Sequence, residues 1–327
     1  MSNNSRACRL IQASNLAYSM SEDGTQFDPS PAVSKAIDAI GYIPSTLKFY
    51  QSPLEDGINA CYYGETPTEA ILTFRGTLPP TFESIEDFFK SLTDWINDAE
   101  IKLVKGTNLA GLVHKGFLES LDALWDWIVE LKLEDAVARG KSLLVTGHSK
   151  GGALVYLAAY RLTQMRIPVQ ATYSYAAARA GDRAFADAFD RMVKTGAIKE
   201  AYRFEYQDDL VPHLPPETGA WRGVQKGLTS VQSKFPTEAP HMTCDPEIAQ
   251  DVDRFLEQLD NTLDQPSYAS AGELQFIDWN NNVVGDSFAL SIERTLSLAK
   301  LMAEFEFERI IEDHSSDGGY MQVPCKP

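Results

Sequence analysis

Short apolar runs alternate with amphipathic segments through the middle of the chain. Residues 142–146 form a β-rich run without internal polarity, which is typical of a strand buried on both faces. Residues 169–175 and 201–206 have the same character, and helical patterns occur between these runs at 151–162 and 183–193. The order strand, helix, strand, helix, strand favours parallel pairing through crossover helices. The pattern therefore predicts an α/β sheet that is covered by helices on both faces.

The flanking regions extend this pattern. Residues 60–64 and 70–74 predict a hairpin pair, and 112–133 predicts a long amphipathic helix. No repeat, low-complexity tract or break in composition divides the chain, so residues 1–327 are predicted to form a single domain. Toward the C-terminus the patterns predict a helix at 250–263, a strand at 273–279 and a long helix at 288–312.

The charge balance narrows the range of partners. The chain carries 46 acidic and 29 basic residues, a formal net charge of −17. A field of this sign repels phosphate, so nucleic acid and anionic membrane surfaces are poor partners. No stretch approaches the roughly 18 apolar residues that a membrane span needs.

The cysteines and the N-terminus bear on the compartment. The four cysteines lie far apart, at positions 8, 61, 244 and 325, without the close pairs of a metal site. The first residues lead into no apolar run of signal-peptide length. We therefore expect free thiols in a cytoplasmic protein, with a secreted protein whose signal peptide was removed as the alternative.

The segment Gly147-His148-Ser149-Lys150-Gly151 contains the pattern Gly-x-Ser-x-Gly. A serine nucleophile on a strained strand-to-helix turn needs glycines on either side, where side chains would clash with the neighbouring strand and helix. The predicted strand before the motif and the predicted helix after it supply this context. The motif therefore indicates that Ser149 is a catalytic nucleophile.

Three further segments, together with the Ser149 motif, resemble the fungal-type, or class three, lipase family of α/β-hydrolases. Residues 71–77 (ILTFRGT) resemble its strand and oxyanion segment, 113–117 (VHKGF) its entry to a long helix, and 209–215 (DLVPHLP) its acid-bearing loop. The four segments occur in the family's order over about half the chain. The resemblance implies the α/β-hydrolase fold, with a mostly parallel central sheet and helices on both faces.

The resemblance also implies where the oxyanion would be held. The backbone amides of Thr77 and Lys150 would be the donors, the second because it follows the nucleophile. Lys150 departs from the family, which more often has an apolar residue at this position. Its side chain either favours acyl substrates with an acidic group or points into solvent.

A serine nucleophile needs a carboxylate and a histidine, which follow it in this order in α/β-hydrolases. Asp209 stands in register with the acid of the family's loop, and the neighbouring Asp208 is the alternative. Of the five histidines, His114 and His148 precede the acid, and His213 lies too close to Asp209 in the sequence to reach the serine. The remaining candidates for the base are His314 and His241.

The choice between these two rests on the resemblance. His314 begins a sequence similar to the family's His-Ser followed by tyrosine, whereas His241 has no such surroundings. We therefore predict His314 as the base and retain His241 as the alternative. The family-like core would then span about 58–216, and a C-terminal extension at 217–327 would carry the catalytic histidine.

Residues 78–96 carry one apolar helical stripe after the oxyanion segment. In the family a short amphipathic lid occupies this place, so residues 82–92 are predicted to form a lid that makes transient contact with a lipid interface. An ordinary surface helix is the alternative, and Trp95 and Ile96 fit that alternative better.

The resemblance implies a serine carboxylic ester hydrolase that acts on acylglycerols or other lipid esters through an acyl-enzyme. This chemistry needs no metal or organic cofactor. The alternatives are a non-catalytic interaction protein with a lipase-like fold and an amidase or acyltransferase on the same scaffold.

Overall fold

The computed structural model describes residues 3–52, 59–77, 102–215, 267–303 and 307–326. The predicted helix at 250–263, the predicted lid at 82–92 and His241 therefore lie outside the described residues. The same holds for Trp95 and Ile96.

The described segments alternate between helices and strands. The helices are α1 (Asn3–Leu16), α2 (Pro31–Ile40), α3 (Lys115–Glu130), α4 (Leu133–Ala138), α5 (Lys150–Gln164), α6 (Arg183–Lys194), α7 (Phe288–Ala303), α8 (Phe307–His314) and α9 (Gly319–Gln322). The strands are β1 (Lys48–Gln51), β2 (Ala60–Glu65), β3 (Glu69–Phe74), β4 (Leu103–Val104), β5 (Val113–His114), β6 (Ser142–His148), β7 (Val169–Tyr175), β8 (Gly181–Asp182), β9 (Ile198–Tyr206), β10 (Tyr268–Ala269), β11 (Glu273–Ile277) and β12 (Val283–Val284).

The larger sheet has the strand order β1-β2-β3-β6-β7-β9-β11-β12 within the described ranges. Neighbouring strands from β3 to β11 pair in parallel, whereas the outer pairs β1–β2, β2–β3 and β11–β12 are antiparallel. A second sheet has the order β10-β8-β5-β4. The parallel centre confirms the predicted fold class, and the β2–β3 pair confirms the predicted hairpin.

Helices cover both faces of the sheet. Successive side chains of a strand point to opposite faces, so a central strand packs against helices on both sides. On one face Leu144 of β6 belongs to the same buried cluster as Leu10 and Ile11 of α1. On the other face Val145 belongs to a cluster with Leu154 of α5. The apolar run at 142–146 is therefore buried on both sides, as its composition predicted.

Several element boundaries differ from the sequence prediction. The helix predicted at 112–133 begins only at Lys115, because Val113 and His114 pair with neighbouring strands as β5. The predicted helix at 288–312 corresponds to α7 and α8, and residues 304–306 between them lie outside the description. No helix in the described ranges combines the length and the apolar character needed to cross a membrane.

The expectation of free thiols is wrong for two of the four cysteines. Cys8 in α1 and Cys325 near the C-terminus form a disulfide across a sequence separation of 317 residues. The fold brings them together because α1 and the C-terminal segment both pack on one face of the sheet. Cys61 is a buried free thiol, and burial raises its pKa. Cys244 lies outside the described residues.

Reduction of this disulfide is expected to lower the thermal stability. The bond closes a loop of most of the chain, and loss of a native disulfide commonly costs about 2–5 kcal/mol. Thermal unfolding of the protein with and without reductant measures the effect, and Cys8→Ser/Cys325→Ser serves as a reductant-insensitive control. An unchanged Tm in both comparisons would contradict the stabilising role.

Candidate active site

Ser149 lies at the junction of β6 and α5, where the sequence motif predicted a sharp turn. Its backbone has φ 58° and ψ −128°, a strained conformation for a residue other than glycine. The flanking glycines are required by close packing. A Cβ on Gly151 would lie 2.9 Å from the carbonyl carbon of Arg75, and one on Gly147 would lie 3.0 Å from the nitrogen of Gly152.

His314, the last residue of α8, lies between Ser149 and Asp209. Its Nε2 is 3.0 Å from Ser149 Oγ, and its Nδ1 is 3.0 Å and 3.1 Å from the two carboxylate oxygens of Asp209. A carboxylate only accepts hydrogen bonds, so Nδ1 carries a proton and Nε2 of the neutral ring is free to accept from the serine hydroxyl. The structure thus brings the three predicted side chains into one hydrogen-bonded chain.

Asp209 follows strand β9 and is held by two further donors. Its Oδ1 accepts from the backbone N–H of Val211 at 2.9 Å, and its Oδ2 accepts from the Tyr320 hydroxyl at 2.7 Å. The Tyr320 oxygen in turn accepts from the backbone N–H of Tyr206 at 2.9 Å. Burial, followed by the charge of Asp209, raises the pKa of Tyr320 well above its usual value, so the phenol remains a donor.

His148 was set aside as a base because it precedes the acid in the chain, and the structure shows two specific contacts for its side chain. Its Nε2 is 2.9 Å from the backbone oxygen of His314, and its Nδ1 is 2.7 Å from the Tyr18 hydroxyl. Burial and the proximity of His314 lower the pKa of His148, so its ring is neutral. Because a carbonyl oxygen accepts, Nε2 carries the proton and Nδ1 accepts from Tyr18. His148 therefore anchors the backbone of His314.

The predicted oxyanion residues belong to two segments that adjoin the serine. Thr77 follows Gly76, and a Cβ on Gly76 would lie 3.2 Å from Ser149 Cβ, so this segment passes directly beside the nucleophile. Lys150 is the first residue of α5. Its Nζ donates to Asn59 Oδ1 at 2.7 Å, so this partly buried side chain has a protein partner that the sequence did not indicate.

Two of the remaining histidines have other contacts. His114 precedes α3 and accepts through Nδ1 from the backbone N–H of Phe117 at 3.3 Å. His213 lies with its Nε2 3.3 Å from a guanidinium nitrogen of Arg294. Burial first, and then Arg294, Arg179 and Arg203, lower the pKa of His213 well below its usual value.

Asp208, the alternative acid, contacts different partners. Its Oδ2 accepts from Trp279 Nε1 at 2.9 Å and lies 3.1 Å from a guanidinium nitrogen of Arg309. Its backbone N–H donates to Asp313 Oδ2 at 3.1 Å. Nothing in the local sequence around Asp208 signalled these contacts, because all three partners come from the C-terminal region.

Asp313 is expected to make stability depend on pH. Burial is the main cause that raises the pKa of this carboxyl from 3.8 to about 7; Asp208 and Asp209 add to the rise, while Arg309 opposes it. The folded protein therefore binds this proton more tightly than the unfolded chain. The resulting stabilisation is complete below pH 3.8 and is lost as the pH rises to about 7.

The variant Asp313→Asn is expected to remove this dependence, because its amide oxygen still accepts from Asp208 and does not titrate. Its Tm relative to that of the parent should therefore increase as the pH rises through this window. Thermal unfolding of both proteins across the pH range measures the difference. A constant difference in Tm would show that Asp313 does not carry the effect.

Comparisons with known proteins identify similar sequences. The sequence model of the family described as Lipase (class 3) matches residues 71–219. The chain is 31% identical over 160 residues to a lipase from Rhizomucor miehei, a match that covers 47% of this chain and 39% of that protein. It is 29% identical over 170 residues to the secreted mono- and diacylglycerol lipase A of Penicillium cyclopium, with 51% and 50% covered.

Two solved structures are similar over most of the chain. A mutant of the Penicillium cyclopium protein MDLA gives a TM-score of 0.57 at 18% identity, with 97% of each chain covered. The native propeptide complex of the Rhizomucor miehei lipase gives a TM-score of 0.53 at 21% identity, with 87% of this chain and 72% of that chain covered. Both confirm the α/β-hydrolase fold.

The sequence matches are shorter than the structural ones. The first three curated relatives are matched over 32% to 50% of their own length. The matched part includes the nucleophile motif, the segment before it and the acid loop, whereas His314 lies beyond the family match. Residues 71–219 therefore match the class 3 lipase family, and the chain has the α/β-hydrolase fold of the fungal lipase structures.

Proposed function

We propose that this protein is a serine carboxylic ester hydrolase that acts on acylglycerols or other lipid esters. One observation carries the proposal: Ser149 Oγ is 3.0 Å from His314 Nε2, and Nδ1 of the same ring is 3.0 Å from Asp209. This is the arrangement of nucleophile, base and orienting acid that acyl transfer through a serine requires. Relatives named lipase support the choice of lipid esters.

The proposed reaction passes through an acyl-enzyme. Ser149 Oγ attacks the ester carbonyl while His314 Nε2 takes the hydroxyl proton, and Asp209 stabilises the charged ring. The amides of Thr77 and Lys150 hold the oxyanion. His314 then returns the proton to the departing alcohol, and water releases the acid by the same steps in a second cycle.

Contact with the lipid phase is a further part of the proposal. We propose residues 82–92 as a lid that meets a lipid interface transiently, and we expect the net charge of −17 to disfavour anionic surfaces and nucleic acid. Residues 1–327 are proposed to act as one domain, because both terminal regions contribute to the site. Tyr18 comes from the N-terminal part and His314 from the C-terminal part.

We infer that the protein is secreted, in place of the cytoplasmic location that the sequence favoured. The Cys8–Cys325 disulfide supports an oxidising compartment, since such bonds are rare in the cytosol. Three of the relatives are named secreted mono- and diacylglycerol lipases.

A fluorophosphonate probe tests the proposed function directly. The folded protein should be labelled on the peptide that contains Ser149, and it should hydrolyse p-nitrophenyl esters over a series of chain lengths. Amide and thioester analogues of the same acyl groups serve as matched comparison substrates. A folded protein that is neither labelled nor active would support the non-catalytic alternative, and faster amide cleavage would support an amidase.

A further inference from the structure

Asp208, the residue before the proposed acid, joins the acid loop to the helix that carries the base. Its side chain is fully buried, and its Oδ2 contacts both Trp279 Nε1 at 2.9 Å and Arg309 at 3.1 Å. Its backbone N–H donates to Asp313 Oδ2 at 3.1 Å. We propose that Asp208 is a positioning residue that aligns His314 with Asp209 and Ser149.

Two of these contacts reach the same helix one turn apart. Arg309 and Asp313 are separated by four residues in α8, so they lie on one face of the helix, roughly 6 Å apart along its axis. A single contact would let the helix rotate or slide about that point. Two contacts from one residue restrain both movements, and His314 follows directly after the second.

The same residue is bonded covalently to the acid. Asp208 and Asp209 are consecutive, so any restraint that Asp208 imposes on α8 is a restraint relative to Asp209. The geometry that has to be kept is narrow, since His314 makes contacts of 3.0 Å to Ser149 on one side and to Asp209 on the other. A misplacement of about 1 Å is enough to lower the rate roughly 100-fold.

Trp279 supports the carboxylate from a third element. It lies between β11 and β12, and its ring packs edge-on against Phe276 at a centroid distance of 5.5 Å. Replacing the carboxylate with an apolar group would leave the indole N–H of the partly buried Trp279 without this acceptor. Trp279, Arg309 and Asp313 all follow residue 219, so the C-terminal region beyond the family match supplies this alignment.

A merely stabilising role makes a different prediction. If Asp208 only stabilised the folded state, its replacement would lower Tm and would leave kcat unchanged at temperatures well below Tm. A positioning role requires kcat to fall with little change in KM, because the alignment matters only as the proton is transferred.

The test compares Asp208→Asn with Asp182→Asn as a matched control. Asp182 is also an aspartate with a structural hydrogen bond, which its side chain accepts from Phe185 at the start of α6 at 2.8 Å. We expect Asp208→Asn to lower kcat and the rate of fluorophosphonate labelling by roughly 10- to 100-fold at unchanged KM. Asp182→Asn should lower Tm and leave both rates unchanged.

If Asp208→Asn folds poorly, variants of its partners test the same role. Arg309→Met and Trp279→Phe each remove one partner of the carboxylate, and each should lower kcat in the same direction by a smaller factor. The double variant Asp208→Asn/Arg309→Met should be little slower than Asp208→Asn alone, because both changes act on the same contact. If kcat of the double variant fell by the product of the two single-variant factors, Asp208 and Arg309 would act independently, and the proposal that they act through one contact would be wrong.

The inference rests on the proposed function, and the two can fail separately. If the parent protein is labelled and active while Asp208→Asn retains full kcat, the positioning role is wrong and the proposed function stands. An equal loss of kcat in Asp182→Asn at an equal loss of Tm also overturns it. If the folded parent is neither labelled nor active, the proposed function fails, and the inference fails with it.

Discussion

Replacing Ser149 with alanine is expected to lower kcat for a p-nitrophenyl ester by about 10⁶-fold. The side-chain oxygen that would attack the carbonyl lies 3.0 Å from the base, and alanine has no atom in its place. Alanine can adopt the strained backbone of the elbow about as well as serine, so the fold should be retained. Steady-state kinetics and the mass of the intact protein after exposure to the fluorophosphonate probe measure the loss.

His314→Ala is expected to lower kcat by a similar factor, because the serine and its base act as a unit. The double variant Ser149→Ala/His314→Ala should therefore be little slower than either single variant. His241→Ala is the control and should retain activity. Full activity in His314→Ala would move the base to His241, and labelling that persists in Ser149→Ala would contradict the proposed mechanism.

The parts of the site that follow from local chemistry could be predicted from the sequence. The elbow is encoded within a few consecutive residues, since the strand, the glycines and the helix adjoin Ser149. The parallel order of β6, β7 and β9 follows in the same way from runs of apolar residues. Asp209 and His314 needed the resemblance to the family, because neither spacing nor composition distinguishes them from Asp208 and His241.

The supporting contacts could not be predicted, because they join residues that are distant in the chain. Tyr18 and His148 are 130 residues apart, and Asp209 and Tyr320 are 111 residues apart. Hydrophobic periodicity reports only neighbours within one helix or strand, so it carries no signal for such pairs. The disulfide was missed for the same reason. Its cysteines pair only because two terminal segments meet on one face of the sheet.

Replacing Asp209 with asparagine is expected to lower kcat by about 10⁴-fold without loss of the elbow or of substrate binding. Both carboxylate oxygens already accept from fixed donors, the backbone N–H of Val211 and the hydroxyl of Tyr320. An amide nitrogen at either position faces one of these donors, so the asparagine side chain cannot satisfy the site in either orientation. If the amide nitrogen points at His314, it donates to Nδ1 and moves the ring proton to Nε2, which then no longer accepts from Ser149.

A comparison with the neighbouring carboxylate, Asp208, shows whether the loss of kcat is specific to Asp209. Asp208→Asn removes the same charge one residue away and should cost roughly 100-fold at most, because Asp208 contacts Trp279 and Arg309 instead of His314. Tyr320→Phe removes one donor to Asp209 and should lower kcat less than Asp209→Asn does. Kinetics of the three variants at matched temperature below their Tm values give the order. A larger loss in Asp208→Asn than in Asp209→Asn would assign the acid to Asp208, against the 3.0 Å contact between Asp209 and His314.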